Sequence, residues 1–198
     1  MAQTVSISPI PSKDKANEIC MKYENFNGQN LSLNKWSESG TMDEYNLDTN
    51  SKNWHTQQNN HADRTAKLNL LNHDFKPGES IKYQMDYKNQ SGNAGSFISI
   101  DGLTDYWLPI GYWSGCGGLP NTPHSCPAGN ETGIYKIKVD FYQGSYNVTI
   151  KNPNGTWIPI TNFPQIVGAT HTVGFGTRTG GNGIVHFDYD NVQICRRF

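Results

Sequence analysis

Three things are scarce in this sequence: net charge, long apolar runs and helical periodicity. Lysine and arginine number 16 against 17 aspartate and glutamate, a net charge of -1. That balance gives no electrostatic reason to expect nucleic acid or an anionic membrane as a partner. No apolar run approaches the ~20 residues needed to cross a bilayer, so no membrane span is expected. The first 20 residues lack an apolar h-region and do not read as an intact signal peptide. Apolar residues almost never recur at helical spacing, which argues against a helical architecture. Charged residues make up only 17% of the chain, yet aromatics reach 12%. Disorder needs few aromatics and high net charge, so a folded domain is expected.

Strand periodicity, by contrast, is common. In "SIKYQMDY" Ile81, Tyr83, Met85 and Tyr87 share one face. In "IYKIKVDFY" Tyr135, Ile137, Val139 and Phe141 point one way while Lys136, Lys138 and Asp140 point the other. "SYNVTI" continues with Tyr146, Val148 and Ile150. Such alternation belongs to antiparallel strands with one face on a core and one face wet. Gln143-Gly144 and "NPNG" (Asn152–Gly155) separate these strands, and Gly and Asn accept the positive φ of tight hairpins. Further strands are expected at Cys20–Glu24, Arg64–Leu71, Ser96–Asp101, His171–Arg178 and at the end of the chain. Many short strands with turns between them indicate an all-β sandwich or barrel. From residue 19 to 198 the chain reads as one domain. Residues 1–18 carry two prolines and no sustained alternation. They are expected to be a flexible leader or, alternatively, a segment that adds a strand to a neighbouring copy and builds a homo-oligomer.

There are only four cysteines and no CxxC pair, a pattern that favours disulfides and an exported, extracellular or cell-surface chain. Cys20 and Cys195 both occupy the polar parity of strands at opposite ends of the chain. If those strands pair, the two cysteines bridge. Closing so long a loop stabilises by about 5 kcal/mol in the chain-entropy model. Cys116 and Cys126 lie in "GCGGLPNTPHSCPAG", a loop too rich in Gly and Pro to hold its shape by packing. A disulfide is the expected staple, and zinc held with His124 is the rival. Five N-x-S/T sequons begin at Asn30, Asn89, Asn130, Asn147 and Asn154; about three would arise by chance, so they add little to the case for glycosylation.

The closing stretch "IVHFDYDNVQIC" changes step. Val185, Phe187 and Tyr189 keep one alternation, Val192 and Ile194 the opposite one. A β-bulge between Asp188 and Asn191 explains the slip. A kink flanked by carboxylates also suits a hard cation with several oxygen ligands, and Glu24, Asn25 and Gly28 on the opening segment are the partners it could draw on.

"ENFNGQNLSLNKW" (Glu24–Trp36), "YKIKVDFYQGSYNVTIKNPNGTWIPI" (Tyr135–Ile160) and "FDYDNVQI" (Phe187–Ile194) together resemble the opening, central hairpins and closing strand of the concanavalin A-like lectin/glucanase jelly rolls. The resemblance implies a two-sheet antiparallel jelly-roll sandwich with a groove on its curved sheet and with first and last strands adjacent. It also implies a structural Ca2+ held by Asp190, with Glu24 and Gly28 as further ligands, and Trp36 in the core. Family-16 glycoside hydrolases within this superfamily carry an E-x-D-x-(x)-E strand, and no such pair is found here. Retaining hydrolysis needs two carboxyls about 5 Å apart. Asp43 and Glu44 are adjacent, Asp101 and Asp105 straddle a turn, and Asp188 and Asp190 lie in the closing strand.

No catalytic residue is therefore assigned. Sugar binding requires exposed aromatic rings with polar groups beside them. "DGLTDYWLPIGYWSGCGG" offers Tyr106, Trp107, Tyr112 and Trp113, and Trp54, Arg64 and Arg178 are the expected helpers, with His55 and Gln57 nearby. The expected partner is a polysaccharide or other glycan. An atypical hydrolase or lyase using Asp86, Asp101 or Glu131, and a filament or surface-layer subunit, are the alternatives.

Overall fold

The computed structural model describes residues 17–28, 30–32, 34–59, 63–91, 94–102, 104–108, 110, 131–160, 168–180 and 184–198. Among them are thirteen strands: β1 (Glu18–Glu24), β2 (Trp36–Gly40), β3 (Glu44–Asp48), β4 (Asn53–Gln58), β5 (Arg64–Leu70), β6 (Glu79–Ser91), β7 (Ala94–Ile100), β8 (Thr104–Trp107), β9 (Gly133–Tyr142), β10 (Ser145–Lys151), β11 (Trp157–Ile160), β12 (Val173–Thr179) and β13 (Ile184–Arg197). They form two antiparallel sheets. The larger runs β11-β10-β9-β6-β13-β4-β3, with β1 also paired to β13, and the smaller runs β2-β5-β12-β7-β8. This is the two-sheet jelly-roll sandwich.

The alternating residues of β6, β9 and β10 turn inward as their pattern required: Ile81, Tyr83, Met85, Tyr135, Ile137, Val139, Phe141, Val148 and Ile150 are all buried. Between the sheets an aromatic cluster gathers round Phe175, which stacks on Tyr83 at 4.4 Å and meets Trp36 and Trp54 edge-on. Gly144 (φ 71°) and Gly155 (φ 94°) supply the positive φ of the two expected turns, and Tyr142 pairs directly with Ser145 across the first of them.

β13 organises the larger sheet. One edge pairs with β6 along nearly its whole length. The other pairs first with β4 (Val185–Tyr189) and then with β1 (Val192–Arg197). The phase slip is a β-bulge: Asp190 pairs with Gln84 and Gln193 with Lys82, so β13 spends one residue more than β6. Asn191 takes the strain with φ 52°. β1 bulges opposite, between Lys22 and Glu24. Cys20 faces Cys195 in register and the two are joined by a disulfide spanning 175 residues of sequence. Cys195 is fully buried beneath the bridge.

The polar stretch at Lys52–Arg64 shows no apolar alternation in the sequence, yet Asn53–Gln58 is β4, an interior strand of the larger sheet. Its inward residues are Trp54, Thr56 and Gln58, two of them polar, so no apolar alternation marks it. Thr56 is satisfied by Thr177 Oγ1 at 2.7 Å and by the Phe187 carbonyl at 3.1 Å.

Candidate functional site

The outward residues of the larger sheet line a broad cavity of about 470 Å³. It crosses five adjacent strands: Trp157 on β11, Thr149 on β10, Lys136 and Lys138 on β9, Lys82 and Gln84 on β6, and Asn191 and Gln193 on β13. At ~4.8 Å per strand the row is about 19 Å wide. Trp157 is 48% exposed at one end. At the other, the bulge turns Asn191 outward, where its amide donates to Gln84 Oε1 at 3.0 Å. An open aromatic face with side-chain amides and ammonium groups is the equipment that grips the hydroxyls and the apolar face of a sugar.

The base of this face is electrostatically balanced. Glu18, from β1, pairs with Lys82 and with Lys138, the latter at 3.0 Å. Asp140 pairs with Lys138 and Arg197. Burial pushes the Glu18 carboxyl up, but its hydrogen bonds to Lys82 and Lys138 outweigh this and hold it at about 2. Asp140 is the one carboxylate among the described lining residues, and it is committed to these cations.

On the outward parity of the smaller sheet, Phe97 and Ser99 are buried. Lys67, Asn69 and Arg178 share that parity, and Asp105 on β8 pairs with Ser99. Lys67 donates to Ser99 Oγ at 2.9 Å and lies 6.0 Å from the Phe97 ring centroid. A Cβ at Gly174 would sit 2.5 Å from Asn69 Oδ1, so only glycine lets Lys67 and Asn69 lie across β12.

The expected sugar-binding residues are dispersed. Trp54 requires correction: its ring is 0% exposed, packed against Phe175 and Tyr189 with its indole N–H donating to Glu38 at 2.5 Å. A ring enclosed on both faces cannot stack on a sugar. Tyr106 and Trp107 belong to β8, the edge strand of the smaller sheet, where Trp107 pairs with Phe97 and Tyr106 with Ile98. Tyr112, Trp113, Cys116, Cys126 and His124 lie outside the described residues, as do residues 1–16. Arg64 is exposed at the start of β5, and Arg178 faces Asp63 at 3.7 Å. His55 is bound to Asp188, and the Gln57 amide donates to Asn59.

Of the acids weighed for hydrolysis, Asp86 is the register partner of Asp188 and lines one cavity with Asp188 and Asp190. Asp86 pairs with Lys88, Asp101 with His171 at 2.7 Å, and Glu131 is exposed. Asn30, Asn147 and Asn154 are exposed, Asn89 lies in β6, and Asn130 is outside the described residues. Trp157 follows the "NPNG" turn, where the sequence does not choose between core and surface. Only the pairing of β11 at the sheet edge, opposite Lys151, turns it outward.

The residues expected to hold calcium divide. Asp190 Oδ1 is buried without a hydrogen-bond partner among the described residues, and so is Asn53 Oδ1. Both residues line a cavity of about 120 Å³ that also touches Ser51, Gln84, Asp86 and Asp188. Register continues Tyr189–Trp54 into Asp190–Asn53, which places the two side by side. Burial raises the Asp190 carboxyl above its ordinary value, and Glu24 adds to the effect. Two orphaned oxygens and a desolvated carboxylate fit a hard cation. Glu24 itself does not join them. Its Oε1 accepts the N–H groups of Asn25 and Phe26 at 3.0 Å, and its Oε2 faces Lys35 and the Trp36 indole. Gly28 lines a different cavity, with Asn30, Leu31 and Leu47.

The sequence matches no protein-family model, and no curated protein matches it. Solved structures do. A structure of peanut lectin with a nonamer peptide superposes with a TM-score of 0.54 at 13% identity, covering 92% of this chain and 99% of that one. The exoplasmic/lumenal domain of VIP36 in a form bound to Ca2+ and Man2 gives 0.54 at 9% identity, covering 90% and 87%. A protein from Mycobacterium abscessus described as a beta-glucanase gives 0.51 at 9% identity, covering 89% and 98%. Lectins and glucanases alike thus share the architecture, and identity this low speaks for the fold alone. The chain has the concanavalin A-like lectin/glucanase jelly-roll fold.

Proposed function

We propose that this chain is an exported, non-catalytic, lectin-like domain that binds a glycan across the outward face of its larger sheet. The observation that carries the reading is Trp157, a half-exposed indole at one end of a 470 Å³ cavity whose other end holds Gln84, Asn191 and Gln193. The ring offers an apolar platform and the amides offer donors and acceptors for hydroxyls. Calcium sits with Asp190 and Asn53, where it neutralises a buried carboxylate and fixes the bulge that presents Asn191. Asp86 and Asp188 are register partners across β6 and β13, but Asp86 is paired with Lys88 and Asp188 with His55, and these pairings support binding without hydrolysis. The disulfide between β1 and β13 supports export to an oxidising compartment.

β8 favours a second platform. It is the edge strand of the smaller sheet and contains Tyr106 and Trp107. One experiment separates the two: the purified chain is tested against a panel of soluble polysaccharides, scoring retention and new reducing or unsaturated ends together. Retention without product, reduced at least tenfold by Trp157→Ala and unchanged by Trp107→Ala, is the expected result. Loss with Trp107→Ala alone moves the site to the smaller sheet. Product formation overturns the non-catalytic reading.

A further inference from the structure

On the same outward face, beyond the bulge, β13 and β4 place two imidazoles and a carboxylate together. Asp188 is the register partner of His55, and His186 lies two residues earlier on the same side of β13. His55 Nδ1 is 2.7 Å from Asp188 Oδ1 and His186 Nε2 is 3.6 Å from that same oxygen. The two rings stand edge to face at 4.7 Å. One ligand atom from each of the three residues falls within 4.8 Å of the other two. A tetrahedral zinc with ligands at 2.0–2.2 Å spaces its donors about 3.3 Å apart. The two Asp188 contacts bracket that value and the third separation lies within 4.8 Å, so modest side-chain shifts convert the cluster into a coordination shell.

His171 and Asp101 give a useful contrast. They form an ordinary His–Asp pair at 2.7 Å with no second imidazole in the group. At Asp188, two rings converge on one oxygen, more than a simple ion pair needs. His55 also has a carboxylate behind it, Glu44 Oε2 at 3.8 Å from Nε2. A carboxylate behind a ligating histidine fixes the tautomer that presents its other nitrogen to the metal. Burial lowers the pKa of His186, whereas the hydrogen bond to Asp188 raises that of His55. Lys88, the nearby cation, is paired to Asp86 and stays 4.0 Å from Asp188 Oδ2, which leaves Oδ1 to the imidazoles. The other three-residue group contains Cys20 and Cys195, whose sulfurs are in the disulfide and offer no thiolate.

We propose that His55, His186 and Asp188 bind one zinc ion, with Glu44 positioning His55 and a fourth coordination position open to solvent. The site is distinct in chemistry from that of Asp190 and Asn53: imidazoles select a borderline first-row cation, whereas a carboxylate with an amide oxygen suits calcium. Its place between β4 and β13 makes zinc a clamp across the centre of the larger sheet.

The test is calorimetric titration of the full chain with zinc chloride in millimolar calcium. One zinc per chain is expected. His186→Gln and His55→Gln should each weaken binding by about 100-fold, and Glu44→Gln by roughly 10-fold as a residue acting through His55. His73→Gln, outside the cluster, should bind as the parent does. Titration of the unsubstituted chain with cobalt(II) keeps the test independent of any variant's folding: intense visible bands of a four- or five-coordinate nitrogen and oxygen site are expected. Zinc uptake unchanged in His186→Gln, displacement of zinc by calcium, or a weak six-coordinate cobalt spectrum overturns the proposal.

Discussion

Tyr189 and Tyr83 are neighbours in the core, 6.4 Å apart, and both are almost fully buried. Their hydroxyls have opposite fates. Tyr189 Oη meets Thr177 Oγ1 at 2.8 Å and Ser96 Oγ at 2.9 Å, and it donates to the Gly176 carbonyl at 2.7 Å. This network joins the two sheets through their inward polar residues. Tyr83 Oη is buried without a hydrogen-bond partner among the described residues. Removing a shared hydroxyl strands its partners, whereas removing an unsatisfied one relieves a desolvation penalty. Tyr189→Phe should therefore destabilise by about 1–3 kcal/mol, and Tyr83→Phe should be neutral or stabilising by up to ~1 kcal/mol. Urea unfolding midpoints of the two variants check the contrast. Equal losses would show that the rings, not the hydroxyls, decide.

At the scale of elements, β1 is the strand most dependent on specific ties. Four of its seven residues are exposed, so hydrophobic burial contributes little to holding it. The Cys20–Cys195 disulfide and the ion pairs of Glu18 do that work. Replacing both cysteines with serine should lower stability by about 5 kcal/mol at most in the chain-entropy model. Amide exchange should then accelerate first in Glu18–Glu24. Uniform acceleration across β6 and β9 would argue against a β1-specific role.

The same strand sets an acid response. The carboxyl of Glu18 is held near 2 in the fold against 4.5 for the free group. A depressed carboxyl stabilises the fold above its unfolded value, and that contribution is lost as pH falls through the folded value. Thermal midpoints should drop between about pH 4.5 and pH 2, and Glu18→Gln should flatten the drop in that window. An unchanged slope in Glu18→Gln would assign the acid response elsewhere.

Across the whole molecule, the proposed calcium site links the bulge to stability through Asp190. A carboxyl whose folded pKa is raised, as burial raises that of Asp190, costs stability once pH exceeds its unfolded value. In chelator the fold carries that cost, and Asp190→Asn should be at least as stable as the parent at neutral pH. Calcium reverses the order, adding about 2.7 kcal/mol to the parent at a hundredfold excess over its dissociation constant and little to the variant. Thermal melts with and without calcium check this. A parent chain indifferent to calcium would leave Asp190 as a buried, unneutralised carboxylate only.

The sequence by itself determined the all-β class, the inward faces of β6, β9 and β10, the hairpin at Gln143-Gly144 and the slip in β13. Each of these is local: a period of two, a positive φ, a lost alternation. The parity of Cys20 and Cys195 carried one long-range contact, because both ends were marked by cysteine. Other features were illegible. β4 buries Thr56 and Gln58 instead of apolar residues, and partners from elsewhere in the chain satisfy them, Thr177 and Phe187 for Thr56 and the Asp43 N–H for Gln58. For the same reason Trp54, beside His55 and Gln57 in a polar stretch, reads as a surface ring until Phe175 and Tyr189 enclose it. Tertiary structure alone decided which rings reach solvent, which carboxylates are already paired, and that His55, His186 and Asp188 meet. Those facts depend on which strands become neighbours, and residues 133 apart in the chain carry no local trace of a 2.7 Å contact.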